Sequence, residues 1–383
     1  MQNLTKFYID GQWVVPQSSV TLPVLNPATE EQIGTVAMGN VQDVDRAVAA
    51  AKSAYVGSST TSKADRLYLL HRLKAATEQR FEDLAQAMRM EMGAPITMAR
   101  SAQADAAIGH LQGFIDALEQ LEESQVLANG DILLREPIGV CGLITPWNWP
   151  MNQIALKVIP ALATGSTCIL KPSEHTPISA MVYAEIIDEA GYPPGVFNLV
   201  NGDGPTVGAA LSRHPDVHMM SFTGSTRAGI AVTRDAAETV KRVTLELGGK
   251  SPNLVFADSE LETRVAESVS ECMFNTGQSC DAPTRLLVER ACYDYALRIA
   301  KRTAEDISVG DPAQDGEHIG PLFDKIQFDR VQSMIEVGLA EGARLLAGGL
   351  GKPEGVTTGW FVKPTIFADV SNDMRIAQEE ILG

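Results

Sequence analysis

The chain has 383 residues, 45% of them hydrophobic and 21% charged, and a formal net charge of −17. That length exceeds one small domain and suits two or three with sizeable cores, while the negative charge argues against a nucleic acid or an anionic membrane as partner. No stretch reads as a membrane span or an export signal. The five cysteines, at 141, 168, 272, 280 and 292, lack metal-type spacing, so no metal site is expected and free thiols in a reducing cytoplasm are.

In chain order, the first third reads as helical. Asn40 caps a helix carrying Val41, Val44, Ala47, Val48 and Ala51. Ser62-Lys63-Ala64-Asp65 resembles a capping box ahead of a long helix through Leu67, Leu70, Leu73 and Leu84, expected to stop at Gly93. A third helix runs through Ala104 to about Glu123. Asn129-Gly130-Asp131 signals a turn, followed by a hairpin arm at Ile132-Leu133-Leu134-Arg135. From residue 138 strands and helices alternate. The strands are expected at Ile138–Ile144, Thr167–Lys171, Val196–Val200, Val217–Phe222 and Val243–Leu245, the helices at 152–163, 177–190, 205–213 and 226–239. This alternation predicts a parallel sheet with crossover helices, a Rossmann-type α/β domain. A second α/β unit starts near Asn253–Ala257, passes through a helix ending near Cys280, and adds a strand at Arg285–Arg290.

Three short blocks carry the chemistry. Cys280 ends the polar run Asn275-Thr276-Gly277-Gln278-Ser279, where a core cysteine is out of place, so it is the candidate nucleophile; the other four cysteines fit buried strand or helix positions. Glu246, in Leu245-Glu246-Leu247-Gly248-Gly249-Lys250-Ser251-Pro252, ends a strand before two glycines that allow close backbone approach. Partly shielded, it suits a general base for hydrolysis; alone it reads equally well as a surface carboxylate. Asn148 lies in Pro146-Trp147-Asn148-Trp149-Pro150, and its amide can donate to a developing oxyanion, or serve a plain turn. A fourth block, Phe222-Thr223-Gly224-Ser225-Thr226-Arg227-Ala228-Gly229, follows a strand and opens a helix, the arrangement whose backbone N–H groups favour a pyrophosphate.

In this order the blocks resemble the aldehyde dehydrogenase superfamily across essentially the whole chain. The resemblance implies an aldehyde-dehydrogenase-like α/β fold. Residues 1–115 and 137–247 would form the NAD-binding domain, 116–136 an oligomerisation hairpin, and 248–383 the catalytic domain. It implies oxidation of a small-molecule aldehyde to a carboxylic acid through a Cys280 thioester, resolved by water that Glu246 activates, with Asn148 and the Cys280 N–H holding the oxyanion. Lys157 matches a lysine near the family's catalytic centre, although a helix-surface lysine also fits. For NAD, the resemblance assigns Gly224, Ser225 and Gly229 to the pyrophosphate, Lys171 and Glu174 to the adenine-side ribose, and Glu380 to the nicotinamide ribose. Gly204 can border the adenine. Glu174 would repel a 2′-phosphate and so favours NAD over NADP. Leu382 stands where the family usually has phenylalanine. Asp281 after the nucleophile is a departure that either disfavours the thiolate or points away. Family members continue past Gln378-Glu379-Glu380-Ile381-Leu382-Gly383, so the catalytic domain is expected to be incomplete, with a homodimer or homotetramer at full length. The alternatives are a CoA-acylating relative, against which Glu246 speaks, and an inactive fragment with a structural or binding role.

Overall fold

The computed structural model describes residues 4–383. Four short strands precede residue 40, where the sequence suggested only helix. β1 (Phe7–Ile9) and β2 (Gln12–Val14) form an antiparallel pair turned by Asp10 and Gly11 at positive φ. β3 (Thr21–Leu25) and β4 (Gln32–Ala37) form a separate two-stranded sheet. At three residues, β1 and β2 are too short for an alternating period to show; what makes β1 a strand is its pairing of Tyr8 with Leu199, far along the chain.

Asn40 caps α1 (Val41–Ser58) reciprocally: its side chain accepts from the Gln42 and Asp43 N–H groups, and the Asp43 carboxylate takes the Asn40 N–H. Val44, Ala47, Val48 and Ala51 then form its buried stripe. The expected long helix is two, α2 (Lys63–Gln79) and α3 (Phe81–Glu91), divided at Arg80, whose guanidinium reaches Asp83, Glu185 and Glu189. The expected third helix is likewise divided. A short α4 (Ile96–Met98) and a π-helical turn over Ala99–Ala104 precede α5 (Asp105–Gln120). β5 (Ser124–Val126) and β6 (Ile132–Leu134) make the anticipated hairpin, with Gly130 at φ +88° in its turn. Both strands are exposed throughout, Val126, Ile132 and Leu134 included.

Alternation then follows as the sequence indicated: β7 (Val140–Ile144), α6 (Pro150–Ala163), β8 (Thr167–Lys171), α7 (Ile178–Ala190), β9 (Phe197–Leu199), a π turn at Gly204–Gly208 leading into α8 (Ala209–Arg213), β10 (Met219–Gly224), α9 (Thr226–Ala237) and β11 (Arg242–Leu247). The sheet order is β11-β10-β7-β8-β9-β1-β2, and its first five strands are parallel. Every residue of β7 and β8 is buried, as expected for strands covered on both faces. From β7 the order runs one way to β8 and β9 and the other way to β10 and β11. This reversal is the switch point at which doubly wound sheets bind ligands, outside the carboxyl ends of the strands.

The chain divides into two compact units. One comprises the described residues up to Val24, Gln32–Met88 and Arg100–Leu247; the other comprises Leu25–Glu31, Arg89–Ala99 and Gly248–Gly383. The second contains β12 (Pro252–Val255) paired in parallel with β13 (Arg285–Val288), and β14 (Arg344–Ala347) antiparallel to β15 (Ile366–Ala368). Besides the short α4, its helices are α10 (Leu261–Met273), α11 (Tyr293–Asp306), α12 (Lys325–Ala340) and α13 (Arg375–Gln378). α10 stops at Met273, short of the end expected near Cys280, because Asn275, Thr276 and Gly277 all adopt positive φ. Among the described residues no helix is long and apolar enough to cross a membrane, and no cluster of three His, Cys, Asp or Glu could hold a metal.

Candidate active site

In the first unit the candidate residues gather at the carboxyl ends of the parallel strands. β7 ends at Ile144, and the chain bends through Asn148 into α6, with Pro150 at its first turn, where the missing N–H costs no helical bond. Asn148 is buried. About two helical turns into α6, Lys157 is 6% exposed, and its Nζ donates to Ser221 Oγ at 3.0 Å. Burial pushes the Lys157 ammonium down to about 8, against the pull of the Glu246 carboxylate, which favours the charged form. The helix-surface alternative for Lys157 is thereby excluded. Ser221, its partner, was not singled out from sequence. The available signal was its inward position on β10, two residues before Thr223.

Glu246 lies on β11 opposite Thr223 of β10. The shielding anticipated for it is absent in this chain: β11 ends the sheet order, and Arg242, Thr244 and Glu246 form its exposed face. The Thr223 hydroxyl beside it is buried without a hydrogen-bond partner.

The proposed dinucleotide residues occupy the same end of the sheet. Lys171 closes β8, buried, and donates to Glu174 Oε2 at 3.1 Å and to the Pro172 carbonyl at 2.8 Å. Burial would raise the Glu174 carboxyl, but the Lys171 charge and hydrogen bonds hold it below its ordinary value. Ser225 caps α9, accepting from the Ala228 N–H at 3.3 Å, and residues 225–227 are exposed, leaving the first turn open. Gly224 has φ +159°, and a Cβ there would lie 2.7 Å from the Phe222 ring. Gly204 has open space where a Cβ would stand. Gly229 has a packing role beside the one the resemblance assigns it. A Cβ there would sit 2.8 Å from Leu247 Cδ2, so its smallness lets α9 pack on β11 and needs no ligand contact to explain it. An open helix start with a hydroxyl cap, an ion pair carrying ribose-type acceptors and donors, and an uncovered Gly204 fit a dinucleotide.

Cys280 and Glu380 belong to the second unit. The Cys280 loop is strained in its backbone and held by hydrogen bonds from its own side chains. Asn275 and Thr276 have φ of 54° and 57°, a conformation costly for a β-branched threonine. Gln278, fully buried, donates through Nε2 to the Asn275 carbonyl at 3.0 Å and accepts the Phe323 N–H at 3.0 Å. The Thr276 hydroxyl donates to the Gly320 carbonyl at 3.1 Å. Cys280 itself is partly exposed, as are neither Cys141, Cys168 nor Cys292. Burial pushes the Cys141 thiol up to about 12 and also raises Cys168 and Cys272, which are poorly placed to ionise.

The two glycines after Glu246 meet the expectation of close approach. A Cβ on Gly248 would collide with the Glu380 carboxylate, and one on Gly249 would lie 3.4 Å from the Cys280 carbonyl. Glu380 also accepts a backbone hydrogen bond from Gly249, and burial raises its carboxyl. Lys250, whose ammonium is lowered chiefly by burial, was passed over as part of the same motif. Nothing in the local pattern distinguishes it from a loop lysine.

The chain matches the Aldehyde dehydrogenase family over residues 13–383. It belongs to that family. It is 51% identical over 384 residues to a 3-succinoylsemialdehyde-pyridine dehydrogenase from Pseudomonas sp., covering 100% of this chain and 80% of the relative. Among solved structures it resembles an aldehyde dehydrogenase from Bartonella henselae at TM-score 0.98 and 50% identity, over 100% of this chain and 81% of that one. It also resembles the C291A mutant of aldehyde dehydrogenase C from Pseudomonas syringae, solved with NAD+ and octanal, at TM-score 0.97 and 49% identity, over 100% and 78% of the two chains.

Proposed function

We propose that this aldehyde dehydrogenase oxidises an aldehyde to a carboxylic acid with NAD, using Cys280 as nucleophile. The observation that carries the proposal is the family match along residues 13–383 with Cys280 the partly exposed thiol of a strained polar loop. The octanal and NAD+ of the Pseudomonas syringae relative support the aldehyde and the cofactor.

Each residue has one task. The Cys280 thiolate adds to the carbonyl carbon, forming a C–S bond and moving the π electrons onto oxygen. The Asn148 amide and the Cys280 N–H donate to that oxyanion. The chemistry that bound NAD supplies is acceptance of a hydride from the substrate carbon. Lys171, Glu174, Gly204, Gly224, Ser225 and Glu380 would hold it. With the carbon now a thioester, Glu246 removes a proton from water. The hydroxide adds, the C–S bond breaks, Cys280 leaves as thiolate and the acid departs. Lys157, buried in the first unit, is a cation whose charge the Glu246 carboxylate supports. The exposed apolar hairpin β5–β6 is the surface we assign to self-association as a dimer or tetramer, and the five free thiols suit the cytoplasm.

The test is first-turnover NADH formation by stopped flow. Cys280→Ala should lose it by at least about a thousandfold with NAD binding retained. Glu246→Gln should show the first turnover and little afterwards. A normal first turnover in Cys280→Ala would overturn the assignment of the nucleophile.

A further inference from the structure

We infer that Gln103 is a positioning residue for the oxyanion donor Asn148. The inference rests on the reading of Asn148 given above and adds to it the means by which the amide is aimed. Asn148 lies in the bend between β7 and α6, at the point where the helix does least to fix the backbone. The Trp149 carbonyl is the first to receive a helical bond, from the Gln153 N–H at 3.0 Å. Trp149 itself has φ −133° and ψ 65°, outside the helix, and makes no side-chain cap. Pro150 has no N–H to give. The Asn148 carbonyl thus falls outside the ladder of α6.

Gln103 supplies a constraint on it from outside the helix. Its side chain is fully buried, and its Nε2 donates to the Asn148 carbonyl at 3.1 Å. An uncharged amide in a site with no exposure makes a hydrogen bond that water cannot compete for. The direction of that carbonyl sets the plane of the following peptide and, through the Asn148 Cα, the direction of its side chain. Gln103 reaches across because it sits in the π-helical turn over Ala99–Ala104, a wider winding than the α5 helix that follows; such turns are often found at functional sites. Seven residues on, His110 Nε2 and Asn152 Oδ1 meet at 2.5 Å, a second polar tie between α5 and the first turn of α6. The segment from Asn148 to Asn152 is therefore tied at two points, to the π-helical turn and to α5.

The arrangement gives a role to a fully buried glutamine set between Ala102 and Ala104. A hydrophobic residue would fill the volume but lose the hydrogen bond to the Asn148 carbonyl, and a shift of about 1 Å in a catalytic group costs roughly 100-fold in rate.

The experiment compares Gln103→Met, Gln103→Glu and Asn148→Ala in the intact enzyme, by first-turnover NADH formation, KM for NAD and thermal midpoint. Gln103→Met should slow the first turnover by about 10- to 100-fold with KM for NAD unchanged. Gln103→Glu gives a readout that mere packing would not. As a buried carboxylic acid it can donate to the Asn148 carbonyl, and as a carboxylate it cannot. Its first-turnover rate should therefore approach wild type at low pH and fall toward that of Gln103→Met as pH rises, a limb absent from the wild-type profile. The inference is overturned if Gln103→Met keeps the wild-type rate, or if Gln103→Glu shows no added pH limb. Should Gln103→Met fail to fold, the pH profile of Gln103→Glu decides. If Asn148→Ala itself keeps the wild-type first turnover, the reading of Asn148 fails and this inference with it. If Asn148→Ala is slow while both Gln103 variants are normal, only the inference about Gln103 fails.

Discussion

The two units present their reactive groups in opposite ways. In the first, Asn148, Lys171, Glu174 and Ser225 sit at or just beyond the ends of parallel strands, with Lys157 on the helix that follows β7, and the regular backbone behind them carries the cost of their placement. In the second, Cys280 follows a loop with three successive residues at positive φ, pinned by the fully buried Gln278. Side chains offered from strand ends can be exchanged with little effect on folding. A nucleophile offered from a strained loop depends on the bonds that hold the strain.

That contrast can be broken by experiment. The largest effect is expected from Asn148→Ala, which should lower the first-turnover rate by about 100- to 1,000-fold while the thermal midpoint barely moves. A collapse in stability would mean that strand-end residues also carry the fold. Gln278→Met should behave in reverse. It removes the side-chain hydrogen bonds to the Phe323 N–H and the Asn275 carbonyl, the latter keeping the Gln278 N–H, at a cost on the order of 2 kcal/mol in stability, with activity following the folded fraction. Denaturant unfolding measures this, and an unchanged midpoint would show the loop to be self-supporting.

Lys157 sharpens the picture through pH. Its ammonium is held at about 8 instead of 10.5, so between those values the unfolded chain binds a proton that the folded chain has released. Stability from this group therefore rises with pH across that window, and below it the burial penalty is felt in full. Lys157→Met lacks this rise. Its advantage over wild type, or its deficit, should shift against it by up to about 3 kcal/mol between the two pH values. A stability difference that stays level with pH would place the ammonium in contact with solvent. The smallest effect is expected at Glu174. Glu174→Ser should shift the ratio of kcat/KM for NAD and NADP by on the order of tenfold toward NADP, as one carboxylate charge near a phosphate is removed. An unchanged ratio would remove Glu174 from the ribose.

Legibility follows the same division. The caps at Asn40 and Ser62, the hairpin at Asn129-Gly130 and the alternation from β7 to β11 were readable because each is written in neighbouring residues. The halt of α10 at Met273 was not, because it depends on left-handed conformations at Asn275 and Thr276 that these residue types do not announce.

By itself, the sequence determined the α/β alternation, the three chemical blocks and the resemblance to a family that the comparisons support, since period, turn chemistry and short motifs act over a few residues. Only the tertiary structure decided which side chains lose water and which distant groups they meet. It turned β1 into a strand through Leu199, left Glu246 on the outer face of β11, lowered Lys157 by burying it beside Ser221, and set Gln103 against the Asn148 carbonyl. Burial and hydrogen bonding across such separations depend on the packing of whole helices and strands, and no local window of sequence contains that information.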